Sequence, residues 1–392
     1  MKIFHVNHSS LICETDNDLL VTDPWIFSNA FQGWYQCPGP NIESIKKIFR
    51  ADNNLSIVVL SHAHDDHVDD IFISHCPEKV KFVIPKTKNS AFKNRILKNG
   101  INVKNIIEID DNGIEIGSFF ITCFSSGDLT EEDFIFLISN KKNLLIHAND
   151  NWHEFSEETI NYIQRIKNMQ KSSEIFLMSQ VGIADSYPIF YESISSKDKV
   201  EIIKSKIKLM CKSLIINSQK LGLKIGYAYA NQSKFVNLKN LKDLGFNPYL
   251  IKEDIIKNFD NKIKQLMPCD KIIEGKFIRN KNQYQTILEY RLHYLEKLFN
   301  QYSANKNRNT LTVNFKTLED RKKIKNQITL YASATIWNDI LNGLINLESI
   351  ITGGAGLIDK PEGYNMKEEY LLLSKWAYIN QNRAKTDLTM NL

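Results

Sequence analysis

Ile57-Val58-Val59-Leu60-Ser61-His62-Ala63-His64-Asp65-Asp66-His67 decides the fold. Its first four residues are apolar and three are β-branched, which predicts a strand buried on both faces. The strand ends at Ser61, and His62, His64, Asp66 and His67 follow within six residues. Imidazole suits zinc, iron and similar ions, and a carboxylate extends the range toward harder ones. A turn after a strand can aim His62 and His64 at one ion and Asp66 and His67 at a neighbour. Val68, Asp69 and Asp70 then lead into Ile71, Phe72 and Ile73, which predicts a short helix leaving the turn. The competing reading is a polar surface turn that happens to be rich in histidine. Residue type, spacing and strand context together disfavour it.

This H-x-H-x-D-H pattern behind a hydrophobic strand resembles the metal-binding motif of the metallo-β-lactamase superfamily. The resemblance implies an αββα sandwich: two mostly antiparallel sheets face to face, helices outside, metals at one sheet edge. The motif is specific for the superfamily and nearly silent about substrate. His8-Ser9-Ser10-Leu11-Ile12 followed by Asp23-Pro24-Trp25 resembles the branch that contains ascorbate-6-phosphate lactonase and N-acyl-phosphatidylethanolamine phospholipase D. In that branch this His lies near the site. Asp23-Pro24-Trp25 with Ala30-Phe31 and Gly33-Trp34 is similar to the metallo-β-lactamase-like domain of CMP-N-acetylneuraminate hydroxylase. Fainter echoes of that domain run from Leu177-Met178-Ser179-Gln180 to Pro361-Glu362-Gly363-Tyr364. The hydroxylase also carries a Rieske domain with paired Cys and His ligands, and this chain has no such pair. Oxygenase chemistry would therefore need electrons from a separate protein.

The chain has 392 residues, enough for one large domain and an appended unit. Apolar content of 43% and charged content of 24% are ordinary for a globular protein. A net charge of +5 permits an anionic substrate without demanding nucleic acid. No stripe of basic residues interleaved with aromatics is present, which disfavours a nuclease. Cys13, Cys37, Cys76, Cys123, Cys211 and Cys269 form no C-x-x-C pair. They read as free thiols in a reducing cytosol. The N-terminus opens as a strand, so no signal peptide is expected. No apolar run approaches the roughly 20 residues that span a bilayer. These features point to a cytoplasmic protein with no membrane partner.

Strands are predicted at 2–6, 11–14, 19–22, 80–84, 106–109, 114–116, 119–124, 134–138, 144–146, 175–178 and 223–229. Helices are predicted from 156 and over 200–221, the second stopping at Gly222. Asp23 can accept hydrogen bonds from the metal-binding loop, or simply open a turn before Pro24. Superfamily members supply a third His near Ser125-Ser126-Gly127-Asp128; here the nearest candidate is Asp128, which can equally be a loop tip. In His147-Ala148-Asn149-Asp150-Asn151-Trp152-His153, Asp150 matches the superfamily's metal-bridging carboxylate. Its alternative role is a helix-capping turn residue. His147 and His153 flank it as pocket or supporting residues. The superfamily's last metal His is expected near the end of the 223–229 strand, where Asn231 and Gln232 stand.

The expected architecture is therefore a metal-binding domain over 1–235 and a C-terminal α+β extension over 236–392. The expected ligands are His62, His64, Asp66, His67, Asp150 and Asp128. Asp66 and Asp150 are the expected catalytic groups, with His8, Asp23, His147 and His153 around them. Two divalent ions, zinc or iron with manganese also compatible, would serve a hydrolase acting on an ester, lactone or phosphoester. The resemblance points to an anionic, sugar-like small molecule. A dinuclear-iron oxygenase of a sugar nucleotide or similar acid is the second reading. A non-catalytic binding protein is the third.

Overall fold

A computed structural model describes residues 1–31, 34–49, 55–87, 90–125, 134–183, 187–191, 193–230, 233–235 and 248–283, with short stretches beyond. In chain order these form β1 (Lys2–Asn7), β2 (Ser10–Glu14), β3 (Leu19–Thr22), β4 (Trp34–Gln36), α1 (Ile42–Phe49), β5 (Leu55–Val59) and α2 (Asp70–Ser74). They continue with β6 (Lys81–Pro85), α3 (Ala91–Lys98), β7 (Ile106–Ile109), β8 (Ile114–Ile116), β9 (Phe119–Ser125), β10 (Phe134–Ser139), β11 (Asn143–Asn149), α4 (Glu157–Gln170) and β12 (Glu174–Gln180). Then come α5 (Ser196–Lys220), β13 (Gly226–Tyr229), β14 (Ser233–Phe235), α6 (Pro248–Lys257), β15 (Ile263–Gln265), β16 (Lys271–Ile273) and β17 (Lys276–Ile278).

One sheet has the order β17-β16-β1-β2-β3-β5-β6-β7, the other β15-β13-β12-β11-β10-β9-β8. Side chains alternate across each strand, and the alternation builds the layers. Ile57 and Val59 face the second sheet and pack with Phe136, Ile138 and Met178. Val58 and Leu60 face the other way, under Ile48, Phe72, Phe92 and Ile96 of α1–α3. The outer face of the second sheet, with Leu137, Ile146 and Leu177, is covered by α4, α5 and α6 through Ile163, Ile207 and Ile256. Both faces of β5 are thus dry, which is why its sequence is a continuous apolar run. This is the αββα, metallo-β-lactamase-like sandwich.

The sheets are mixed, not mostly antiparallel. Strands joined through a helix pair in parallel, as β3–β5, β5–β6, β11–β12 and β12–β13 do. Strands joined by tight turns pair antiparallel, as β1–β2 and β10–β11 do. Return over a sheet needs a long crossover, and a crossover leaves the next strand pointing the same way. The sheets also continue past residue 235. β15 adds to β13, and β16 adds to β1 on the edge of the first sheet. Farther on, β18 (Arg308–Phe315), β19 (Asn326–Ser333) and β20 (Leu357–Asp359) form a small antiparallel sheet.

Among the described residues, no helix is long and apolar enough to cross a membrane. Cys13, Cys123, Cys211 and Cys269 are buried free thiols.

Candidate metal centre

The C-terminal ends of β3, β5, β11 and β13 meet at one edge of the sandwich. The parallel pairing of Thr22 with Val59 sets Asp23 beside Ser61. Asp23 Oδ1 accepts from Ser61 N at 2.7 Å, and Asp23 Oδ2 from Ser61 Oγ at 2.8 Å. The loop carrying the histidines is clamped from two further sides. Asp69 Oδ1 caps α2 by accepting from Ile71 N and Phe72 N, while its Oδ2 accepts from Ile26 N, Phe27 N and Ser28 N. One carboxylate therefore ties the end of the loop to the segment after Asp23. Arg95, from α3, donates to Ala63 O at 2.6 Å and Val68 O at 3.1 Å and pairs with Asp65 and Asp70.

Two clusters of donors result. In the first, His62 Nε2 is 2.8 Å from His64 Nδ1 and 4.0 Å from Asp150 Oδ2. In the second, Asp66 Oδ2 is 3.1 Å from His8 Nε2 and 3.5 Å from His67 Nε2. In each trio the donor atoms lie within 4.8 Å of one another. Asp150 spans the gap, since its other oxygen is 3.7 Å from His67 Nε2.

The hydrogen bonds behind the clusters fix the tautomers. Asn149 N donates to Tyr229 Oη at 2.9 Å. Tyr229 Oη donates to His147 Nδ1 at 2.8 Å, so His147 Nε2 carries the proton it gives Asp23 Oδ2 at 2.8 Å. His67 Nδ1 donates to the same oxygen at 3.1 Å. Ser61 Oγ donates to Asp23 Oδ2, and Ser61 Oγ and Asn149 Nδ2 both lie 3.0 Å from His62 Nδ1. His67 thus carries a proton on Nδ1, and both His62 and His67 turn Nε2 toward the centre. Supporting groups of this kind set ring orientation and ligand basicity.

Charge follows the same plan. Burial pushes the His62 imidazole well down, and the neighbouring His67 and His64 add to it. His67 is raised despite its burial, because Asp66, Asp150 and Asp23 surround it. Burial also opposes ionisation of Asp23 and Asp66. His147 and His67 nevertheless hold Asp23 below the ordinary carboxylate range, and His67 and His8 do so for Asp66. Asp66 Oδ1 and His67 Nε2 are buried and lack a hydrogen-bond partner. Such atoms cost about 1–3 kcal/mol each unless something binds them. Imidazole nitrogens and carboxylate oxygens converging on unsatisfied atoms fit divalent cations.

The structure brings together His62, His64, Asp66, His67 and Asp150, and adds His8. Asp23 and His147 stand directly behind them. His153 joins neither cluster; it is exposed and stacks on Trp152 with ring centroids 3.8 Å apart. Trp152 N is drawn back to Asp150 O, a tight turn that sends the chain outward after the ligand. Asp128, Asn231 and Gln232 lie outside the described residues. Ser61, Asp69, Arg95, Asn149 and Tyr229 were not legible as site residues. Only Asp69 carried a signal, as a capping residue ahead of a short helical pattern.

Residues 2–168 match the model of the beta-lactamase superfamily domain. That fold implies divalent metals. Among solved structures, Igni18, a metallo hydrolase from the archaeon Ignicoccus hospitalis KIN4/I, is 14% identical, over 71% of this chain and 99% of its own, with a TM-score of 0.40. A possible metal-dependent hydrolase from Veillonella parvula DSM 2008 is 11% identical, over 69% and 98%, with a TM-score of 0.44. CmlA, a diiron β-hydroxylase from Streptomyces venezuelae, is 14% identical, over 71% and 54%, with a TM-score of 0.42. No curated protein matches the chain.

Proposed function

We propose that the protein is a dinuclear metal-dependent hydrolase acting on an ester, lactone or phosphoester of an anionic, sugar-like small molecule. One observation carries the dinuclear part. Asp150 sets one carboxylate oxygen 4.0 Å from His62 Nε2 and the other 3.7 Å from His67 Nε2, so it can bridge two ions. His62 and His64 would hold one ion, and Asp66 and His67 the other. Bound there, divalent ions bring a water toward neutral pKa and polarise the bond it attacks.

The chain supplies the rest. Asp23 keeps a proton of His67 on Nδ1, and Ser61 stands behind the His62 ring. Asp66 Oδ1, buried with no hydrogen-bond partner, is an acceptor for the proton of the attacking water. The water oxygen bonds to the acyl or phosphoryl centre, the bond to the leaving oxygen breaks, and the proton ends on the leaving group. Lys86 is exposed just past β6, on the edge where the parallel strands end, and can face a second anionic group. Lys88 lies outside the described residues, as does the side chain of Lys234. Of the aromatic residues after Asp23 that could wall a sugar or base, Trp25 and Trp34 are fully buried in the core and Tyr35 is half-buried.

Donor chemistry supports a second reading, an iron oxygenase of a sugar nucleotide or similar acid fed by a separate electron-transfer protein. The chain has nine histidines, and those outside the two clusters are exposed or hydrogen-bonded elsewhere. No further imidazole is at hand for the two His positions that the superfamily pattern would fill, so Asp66 and Asp150 make up a larger share of the donors than that pattern implies, which favours harder ions in relative terms.

Metal analysis after purification without added metal separates the readings. Two equivalents of zinc, with turnover of lactones or phosphoesters that Asp150→Ala abolishes, is the expected result. Iron with a charge-transfer band and no hydrolysis favours the oxygenase. Protein that takes up no metal leaves a binding protein and ends both enzymatic readings.

A further inference from the structure

We infer that His8, from the turn between β1 and β2, is itself a metal ligand, binding through Nε2 the ion held by Asp66 and His67. The inference rests on the dinuclear reading above and adds a donor from 58 residues earlier in the chain than Asp66.

Spacing is the first ground. Two donors each about 2.1 Å from one ion lie roughly 3.0–3.4 Å apart, from octahedral to tetrahedral angles. His8 Nε2 is 3.1 Å from Asp66 Oδ2, and His67 Nε2 is 3.5 Å from the same oxygen. The three donor atoms form one of the two tight trios in the described structure.

The second ground is how His8 is held. Its φ is 44°, in the left-handed region, which costs a non-glycine residue about 1–3 kcal/mol unless the surroundings impose it. The surroundings do impose it. The His8 carbonyl accepts from Ala230 N at 2.9 Å and from His5 Nε2 at 2.9 Å. The ring is 1% exposed and stands edge-on to Trp25, with centroids 5.1 Å apart. Backbone strain, two bonds to one carbonyl and an aromatic wall all serve to aim one imidazole at Asp66. A core histidine that only filled space would need none of them.

The third ground is elimination within the chain. Nine histidines are present. His62 and His64 form the first cluster, and His147 is committed to Asp23 and Tyr229. His5 is spent on His8 O, and His75, His153 and His293 are exposed. His8 is the imidazole that stands in one trio with His67 and Asp66. With it the second ion has two nitrogens beside the oxygens of Asp66 and Asp150, a balanced set for zinc or iron.

The experiment compares wild type, His8→Gly and His8→Gln in full-length protein, by titration with Zn²⁺ against a chromophoric chelator. Glycine accepts φ 44° without strain, so His8→Gly removes the ring and not the turn. Wild type should take two equivalents. His8→Gly should keep one, and the affinity of the second should fall by more than the roughly 10–100-fold that loss of a supporting hydrogen bond causes. Added imidazole should restore it. Glutamine keeps an N–H for Asp66 without being a good ligand, so His8→Gln should fail to restore binding. That variant decides the matter if His8→Gly does not fold. In protein labelled at histidine nitrogen, spin-active cadmium should couple directly to His8 Nε2. Two undiminished equivalents in His8→Gly, or full restoration in His8→Gln, would overturn the ligand assignment and leave the dinuclear reading standing. No metal in wild type would end both.

Discussion

Asp23→Asn changes one atom and should disable the centre by reversing a tautomer. Asp23 is fully buried and its carboxylate accepts four hydrogen bonds, from Ser61 N, Ser61 Oγ, His67 Nδ1 and His147 Nε2. Asparagine keeps one acceptor, which Ser61 N can retain. It sets an NH₂ where three donors now point. Ser61 can rotate its hydroxyl away. His67 can answer only by moving its proton to Nε2, which takes away the lone pair that faces the ion. Hydrogen bonds to a charged group contribute about 1.5–3 kcal/mol each, and two are lost at the imidazoles. Part of that is offset because a buried charge is also removed. The expected net loss is about 3 kcal/mol in urea denaturation of the metal-free protein. Metal affinity should fall about 10–100-fold in a competitive chelator titration, the range for a supporting partner of a metal-binding His. An Asp23→Asn protein that binds metal as tightly as wild type would refute the tautomer argument, whatever its stability.

Three further outcomes test other parts of the site. Tyr229→Phe removes the donor to His147 Nδ1 and strands Asn149 N, so the metal-free protein should lose about 1–3 kcal/mol in urea denaturation; no loss would remove Tyr229 from the network. Asp69→Ala deletes the cap of α2 and the acceptor for three backbone N–H groups at 26–28, an expected loss of about 3–5 kcal/mol; a loss under about 1 kcal/mol would show that the loop holds without it. Lys252 is buried, donates to Ala230 O at 3.1 Å, and burial lowers its pKa to about 8, against the opposing pull of Cys211 and Glu253. Below pH 8 both folded and unfolded states carry the proton and the folded state bears the full cost of a buried charge. Between about 8 and 10.5 the folded state sheds that proton first, so stability relative to Lys252→Met should rise by about 3 kcal/mol across that window. A flat difference curve over the same range would show that Lys252 is not titrating there.

Local pattern made much of this protein legible. The apolar run at 57–60 could only be a strand dry on both sides, and the spacing of His62, His64, Asp66 and His67 placed four donors on one turn. These features depend on periodicity and on neighbours within a few residues, which a sequence displays directly. Asp150 was reached through the resemblance, as the match to the superfamily's metal-bridging carboxylate. The αββα arrangement came from the resemblance of that motif to known ones, since periodicity does not say which sheet faces which.

Tertiary structure decided the rest. His8 and Asp66 meet across 58 residues, and His147 and Asp23 across 124. The first contact follows from strand register within one sheet, β2 on β3 and β3 on β5, and the second crosses from one sheet to the other at the edge where they face each other. The mixed sheets arose because each helix crossover forces a parallel pair. His153 was sent to the surface by a turn two residues after Asp150, although its spacing looked as good as that of His147. Spacing tells which side chains share a strand or a turn. Which of them share an ion is set by the pairing of strands far apart in the chain, and by the strained backbone that aims His8 inward.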